Sequence, residues 1–137
     1  MAIQMNVATR NARLDTVEST NGTSCSLEIR TGAQPANCAA VGTGTVLVTI
    51  NLPTDWMAVA SGGTKAIAGT WQDTSADATG TAAHFRVYNS QVTKDGTTCY
   101  MQGSVGQGSG DLSLDNSALV AGQTVTVNTF TWTDANA

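Results

Sequence analysis

The sequence Cys25-Ser-Leu-Glu-Ile-Arg30 alternates apolar and polar side chains with a period of two. Successive side chains of a β-strand point to opposite faces, so this period predicts a strand with Cys25, Leu27 and Ile29 on a buried face. The intervening polar side chains are then expected to face solvent. The same period recurs along the chain, and it therefore sets the class of the fold.

The further strands are separated by turn-forming residues such as Lys94-Asp95-Gly96. An aperiodic segment, residues 32–44, predicts a surface loop. The pattern of the last strand predicts either a bulge near Asn128 and Thr129 or burial of both faces at that end. No β-α-β alternation is present, so we predict an antiparallel β-sandwich or jelly roll of about seven to eight strands, with no parallel pairing. The further predicted strands are Thr45–Leu52, Lys65–Gln72, Thr81–Asn89, Thr98–Val105, Asp111–Leu114 and Thr124–Thr133.

One short helix is predicted ahead of the strands, over residues 6–20. Asn6 is a suitable N-cap, and Asn21-Gly22 is a suitable end because glycine adopts the left-handed conformation readily. Val7, Leu14 and Val17 share its apolar face, and the charged residues lie largely off that face. The chain is thus divided into an N-terminal arm and helix, residues 1–22, and a β-domain, residues 23–137, within one domain overall. The charged residues are Arg10, Arg13, Asp15 and Glu18.

The composition excludes several classes of protein. Hydrophobic residues make up 41% of the 137 residues and charged residues only 12%, which is too apolar for a disordered chain. No apolar run is long enough for a membrane span, and six scattered basic residues with a net charge of −4 form no site for nucleic acid. Asn6 and Thr9 interrupt any apolar segment of a secretion signal, which predicts synthesis and retention in the cytoplasm of the producing cell.

The residue types that carry catalysis are scarce. His84 is the only histidine of the sequence, and it is expected to be a hydrogen-bonded or solvent-facing strand residue because no nucleophile motif accompanies it. Four aspartates in glycine-rich loops are weak candidates for calcium, but aspartate there usually stabilises turns. We therefore predict no enzyme activity, no cofactor and no metal site. The aspartates are Asp73, Asp77, Asp111 and Asp115.

The three cysteines have no spacing typical of a metal site. In a reducing compartment the simplest interpretation is that they are small buried apolar residues. A disulfide between Cys25 and Cys38 is the alternative, and sequence alone does not fix the distance between them.

Two regions are candidates for contact with a partner. The N-terminal arm carries Met1, Ile3 and Met5, which either clamp the chain's own fold or dock on a neighbour. Trp56 is a large apolar side chain in a connection. With Trp71 and Trp132 it also suggests a carbohydrate-binding module, since exposed aromatic rings stack on sugars, although burial in the core is the competing interpretation.

Several segments together resemble small virion proteins of tailed bacteriophages. The resemblance spans nearly the whole chain, and its motifs are strands and turns without an active site. The segments are Asn11-Ala-Arg-Leu-Asp15, Ala58–Trp71, Asp77–Val87, Gly110–Asn116 and Ala121–Thr131.

The resemblance implies a capsid decoration protein, also called a cement protein, that binds the outside of an assembled phage capsid. Its partners would then be the major capsid protein and further copies of itself, as a homodimer or homotrimer, and its location would be the virion surface. We expect the contacts to involve Ile3, Met5, Arg10, Arg13 and Trp56. A module of the tail, collar or fibre is the alternative within the virion.

Overall fold

The computed structural model describes residues 3–135 of the chain. Its only helix in that range is α1, Val7–Asn21, and ten strands follow it. The fold is mainly β with one short N-terminal helix, as predicted. The strands are β1 Ser26–Arg30, β2 Val46–Asn51, β3 Thr64–Ala66, β4 Gln72–Asp73, β5 Gly80–Thr81, β6 His84–Tyr88, β7 Cys99–Gln107, β8 Leu112–Leu114, β9 Ala118–Leu119 and β10 Val125–Thr133.

Helix α1 begins and ends at the residues expected from the sequence. The side chain of Asn6 accepts a hydrogen bond of 2.9 Å from the backbone N–H of Thr9. At the other end, Gly22 has a φ of 84° and its N–H donates to the carbonyl of Glu18. Each cap satisfies a backbone group that the helix itself leaves without a partner.

Replacing Asn6 with alanine should therefore lower the free energy of unfolding by about 1 kcal/mol, because the N–H of Thr9 loses its acceptor. Urea unfolding followed by circular dichroism measures this change. Asn6→Asp is the matched control, since aspartate also caps helices, and it should leave the stability within about 0.5 kcal/mol. Equal losses in both variants would contradict a capping role.

The main sheet runs in the order β2-β1-β6-β7-β8-β10-β3, and β4 pairs with β10 as well. All of its pairs are antiparallel except β7 with β8, which are parallel. The expectation of a wholly antiparallel arrangement was wrong at this point. Parallel neighbours usually need a long crossover, but here residues 108–111 suffice because Gly108 and Gly110 adopt positive φ values of 65° and 81°.

Polar contacts join β2 to β4 across the curled sheet. Asp73 of β4, which pairs with β10, accepts a hydrogen bond of 3.2 Å from the N–H of Thr49 in β2. The hydroxyl of Thr49 donates to Asp77, and the N–H of Asp77 donates to the carbonyl of Leu47. These carboxylates join β2, at one end of the sheet, to β4 and to the segment that follows β4.

The core contains a chain of aromatic rings. Trp56 and Trp71 have ring centroids 6.2 Å apart, Trp71 lies 5.7 Å from Phe130, and Phe130 meets Phe85 edge-on at 5.4 Å. Aliphatic side chains of β1, β2, β6, β8 and β10 pack around these rings. Because the rings come from distant parts of the chain, they tie the connection after β2 to both halves of the sheet.

Two details of the predicted strands change in the structure. The segment Lys65–Gln72 is not one strand, because its two ends form β3 and β4 and pair with opposite ends of β10. The predicted bulge in β10 is confirmed, since the register with β8 shifts between Val127 and Thr129.

The polar face of β1 is buried, although the alternation predicted that it would face solvent. Ser26 and Glu28 are both buried, as are the core-facing residues beside them. Two segments cover this face. The loop of residues 32–44 folds back over the end at Arg30, which donates to the carbonyl of Thr43, and the hydroxyl of Ser26 donates to the carbonyl of Ser90.

Candidate functional site

Helix α1 docks on the sheet mainly through charged and polar groups. The ammonium of Lys65 in β3 lies 2.6 Å from Asp15 Oδ1 and 2.9 Å from Glu18 Oε2. It also donates to the carbonyl of Ala58. Lys65 is only 2% exposed, so this charge is held between the helix and the sheet.

Further side chains of the helix bind backbone groups of the segment before β3. Asp15 and Glu18 accept hydrogen bonds from the N–H groups of Ala60 and Met57, and Asn11 accepts one from Gly63. The face that the sequence predicted to be solvent-exposed is therefore the face that attaches the helix. Of the three predicted apolar contacts, only Leu14 is buried, and Val7 is exposed.

The ion pairs shift the pKa values of both partners. The hydrogen bond from Lys65 and the N–H of Ala60 lower the pKa of Asp15 below 3.8. Burial alone would lower the pKa of Lys65, but the hydrogen bonds to Asp15 and Glu18 outweigh burial and raise it above 10.5. Asp15 and Lys65 are consequently both charged over the whole neutral range.

A groove lies between the helix and the end of β10, with a volume of about 440 Å³. Arg13 forms one wall and makes an ion pair of 3.2 Å with Asp134. Its side chain remains 55% exposed. The half-buried side chain of Trp132 lines the groove as well. We call this space the helix groove, and its lining residues are Arg13, Leu14, Thr16, Val17, Trp132, Thr133 and Asp134.

The predicted contact residues of the arm fall beside this groove. The sulfur of Met5 accepts a contact of 3.5 Å from Arg13 Nη1, which places the arm against a groove residue. Ile3, two residues earlier, is 85% exposed. Met1 lies outside the described residues. The structure thus brings together Met5 and Arg13 and leaves Ile3 at the surface.

Arg10 and Trp56, the other two candidates, are used by the chain itself. Arg10 donates a hydrogen bond of 2.9 Å to the carbonyl of Asp134 and packs against Gly63. Trp56 is fully buried, and its indole N–H donates to the carbonyl of Gly22. The expectation that Trp56 contacts a partner is corrected, because no part of its ring reaches the surface.

A second feature, missed from the sequence, is a polar sheet face buried under residues 32–44, which we call the covering loop. Its backbone carbonyls are bound by side chains of β6 and β7. Arg86 Nη2 donates to the carbonyls of Cys38 and Ala40, at 2.6 and 3.0 Å. Gln102 donates to the carbonyl of Pro35 at 2.7 Å. The loop has a backbone hydrogen bond of its own, from the N–H of Ala40 to the carbonyl of Asn37, and these side chains fix it on the sheet.

Glu28 is the acidic group under the covering loop. Arg30 forms an ion pair with it at 2.8 Å, and the hydroxyl of Tyr88 donates to it at 3.2 Å. Burial, together with the nearby charge of Glu28, raises the pKa of Tyr88 to about 12. Tyr88 therefore stays protonated and acts as a hydrogen-bond donor at neutral pH.

His84 belongs to the same polar face. It is buried, its Nδ1 lies 3.0 Å from the carbonyl of Gly32, and burial lowers its pKa. The neutral ring donates its Nδ1 proton to that carbonyl, so the expectation of a hydrogen-bonded strand histidine is confirmed. Its Nε2 is one of the buried atoms without a hydrogen-bond partner in the described residues.

The cysteines separate onto two faces. Cys25 lies on the core face and its thiol contacts the carbonyls of Asn21 and Gly22, whereas Cys38 lies in the covering loop beside Cys99. The alternative of a Cys25–Cys38 disulfide is not supported by this arrangement. Across residues 3–135, no three His, Cys, Asp or Glu side chains are grouped so that they could hold a metal ion.

The described part of the chain contains no helix with the length and apolar character that crossing a membrane requires. No known protein family, no curated protein and no solved structure matches the chain.

Proposed function

We propose that the chain is a structural virion protein that binds the outside of an assembled phage capsid and stabilises it, as a decoration protein does. The observation that carries the proposal is the N-terminal arm: Ile3 is 85% exposed next to a capped helix, and Met5 rests on Arg13 at the helix groove. An exposed aliphatic side chain gains free energy when a protein partner removes it from water, so it is suited to docking. The sequence resemblance to small phage virion proteins supports the same role.

Most basic side chains are buried or bound within the chain, which supports binding to a partner through an uncharged surface. Lys65 and Arg86 are buried, and Arg10 and Arg30 bind groups of their own chain. Few basic groups are thus left for phosphates, which favours a protein partner over nucleic acid. We take that partner to be the major capsid protein, with neighbouring copies of the chain forming a homodimer or homotrimer.

The physical effect of such binding follows from mass action. A protein that binds only the assembled, expanded shell stabilises that state against disassembly and against the pressure of packaged DNA. Many copies on a symmetric lattice act together, so that a modest affinity at each site suffices. No catalytic group is needed for this role.

Deleting residues 1–5 should weaken capsid binding by tenfold or more (about 1.4 kcal/mol) while the protein stays folded. The deletion spares Asn6, whose side chain caps the helix. Co-sedimentation with capsids purified from a deletion phage measures binding, and circular dichroism checks the fold. Full binding by the truncated protein would refute the role of the arm.

A pair of point variants sharpens this experiment. Ile3→Ser changes the exposed side chain of the arm, and Val92→Ser changes an equally exposed aliphatic side chain in the β6–β7 connection. We expect only the first to weaken binding. Electron microscopy of virions carrying a tagged chain should label the head uniformly, and label confined to the tail would instead support the tail or fibre module.

A carbohydrate-binding module has less support. Trp56 and Trp71 are fully buried, so Trp132 is the tryptophan left to stack on a sugar. Hits on a glycan array that disappear in Trp132→Ala would favour that function over the capsid role.

A further inference from the structure

The covering loop and the start of β7 bring two cysteines together. The side chain of Cys38 lies beside that of Cys99. Arg86 holds both segments, because its Nη2 donates to the carbonyl of Cys38 at 2.6 Å and its Nε contacts Cys99 Sγ at 3.3 Å. One buried guanidinium thus fixes the loop backbone and the β7 thiol in a single arrangement.

A backbone contact independently fixes the same two segments. Gly96, in the turn before β7, lies so close to the covering loop that a Cβ there would be 2.2 Å from the carbonyl oxygen of Ala39. A side chain at this position would push the loop away. The contact between Gly96 and Ala39 therefore holds the neighbour of Cys38 against the turn that leads to Cys99.

We propose that Cys38 and Cys99 form an intramolecular disulfide, with a small-molecule disulfide such as oxidised glutathione as the oxidant. The bond fastens the covering loop to β7. Cys38 is half-buried and open to the oxidant, whereas Cys99 is buried beneath it. Cys25, on the core face, stays a free thiol, which accounts for the odd number of cysteines.

The reaction proceeds by two exchanges. The thiolate of Cys38 attacks one sulfur of oxidised glutathione, forms a mixed disulfide and releases one glutathione thiolate. Cys99, as its thiolate, then attacks the Cys38 sulfur and releases the second glutathione. Two protein thiols lose two electrons and two protons in total, and one oxidised glutathione becomes two reduced molecules.

The surroundings of Cys38 determine how the rate of oxidation depends on pH. Burial and the neighbouring Cys99 raise the pKa of Cys38 to about 11, while the charge of Arg86 acts in the opposite direction. The thiolate is scarce at neutral pH, so oxidation should be faster at pH 8.5 than at pH 7, roughly in proportion to the thiolate fraction.

Tryptic peptide mapping tests the proposal on the intact protein. Cleavage after Arg13, Arg30, Lys65 and Lys94 places the three cysteines in separate peptides, residues 14–30, 31–65 and 95–137. After incubation of the folded protein with oxidised glutathione, we expect peptide 31–65 linked to peptide 95–137. The intact mass should fall by about 2 Da, and the midpoint of thermal unfolding should rise by about 8 °C.

Variants of the cysteines serve as controls. Cys38→Ala keeps the backbone carbonyl that Arg86 binds, so it should fold and yet show neither the link nor the thermal shift. Cys25→Ala should retain both. A disulfide-linked peptide that contains residues 14–30 would overturn the proposal. So would three alkylatable thiols in the folded protein after a treatment with oxidised glutathione that does oxidise the unfolded chain.

Discussion

Replacing Arg86 with methionine is expected to lower the free energy of unfolding by about 4 kcal/mol. The guanidinium is 0% exposed and donates to the carbonyls of Cys38 and Ala40. Methionine fills similar space but donates no hydrogen bond, so two partly buried carbonyls lose their partners. The ring of Tyr88, whose centroid is 5.7 Å from the guanidinium carbon, loses its cation as well.

The loss should be concentrated in the covering loop. Hydrogen exchange of loop amides should accelerate more than exchange in β10, which Arg86 does not contact, and urea unfolding gives the total change. Arg13→Met is the matched control, because its guanidinium is 55% exposed and its ion pair with Asp134 is worth less than about 1 kcal/mol. If both variants lose similar stability, the covering loop is not held by Arg86.

Strands and helix ends could be predicted from the sequence wherever neighbouring residues determine them, through alternation or through a capping residue. Leu27 and Ile29 in β1, and Phe85 and Val87 in β6, alternate as expected and lie in the core. Asn6 and Gly22 mark the helix ends, as their side-chain and backbone chemistry requires. The parallel pairing of β7 with β8 was not predictable by the same means, because it depends on a short glycine-rich connection that looks like an ordinary turn.

The buried polar face could not be predicted, because alternation tells which side chains share a face and not what covers that face. Glu28 in β1, and His84 and Arg86 in β6, lie on the side of their strands opposite the core residues. That the aperiodic loop of residues 32–44 lies over them depends on hydrogen bonds between residues far apart in the chain, such as the one from Arg86 to Cys38. The signal in the sequence is the combination of a long aperiodic segment, whose backbone carbonyls need hydrogen-bond partners, with strands that carry several polar side chains on one face.

The candidate contact residues were likewise predicted only in part. Ile3, Met5 and Arg13 were selected because apolar and charged residues near a terminus are available for contact. The structure places Met5 against Arg13, which lines the helix groove, and leaves Ile3 exposed. Trp56 was selected for its size alone. A large aromatic in a connection is as well suited to anchor the core as to bind a partner, and only its packing on Trp71 distinguishes the two roles.

Replacing Lys65 with methionine should lower the free energy of unfolding by about 3 kcal/mol and release helix α1 from the sheet. The ammonium neutralises Asp15 and Glu18 and satisfies the carbonyl of Ala58. Without it, two carboxylates of the helix face each other across an apolar side chain. Exchange of the helix amides should therefore accelerate most.

The wild-type protein should show the matching dependence on pH. The pKa of Asp15 is lowered on folding, so its contribution is present above pH 3.8 and is lost as the pH falls through the folded pKa. The pKa of Lys65 is raised, so its contribution is complete below pH 10.5 and is lost as the pH rises through the folded pKa. The stability contribution of the pair should thus be constant between these limits.

Lys65→Met combined with Asp15→Asn and Glu18→Gln separates electrostatics from packing. Both amides can still accept hydrogen bonds from the N–H groups of Ala60 and Met57, which the carboxylates bind now. The triple variant should recover at least half of the stability that the single variant loses, because no unpaired charge remains between the helix and the sheet. If it is as unstable as Lys65→Met alone, the helix is held by the packing of the lysine side chain and not by its charge.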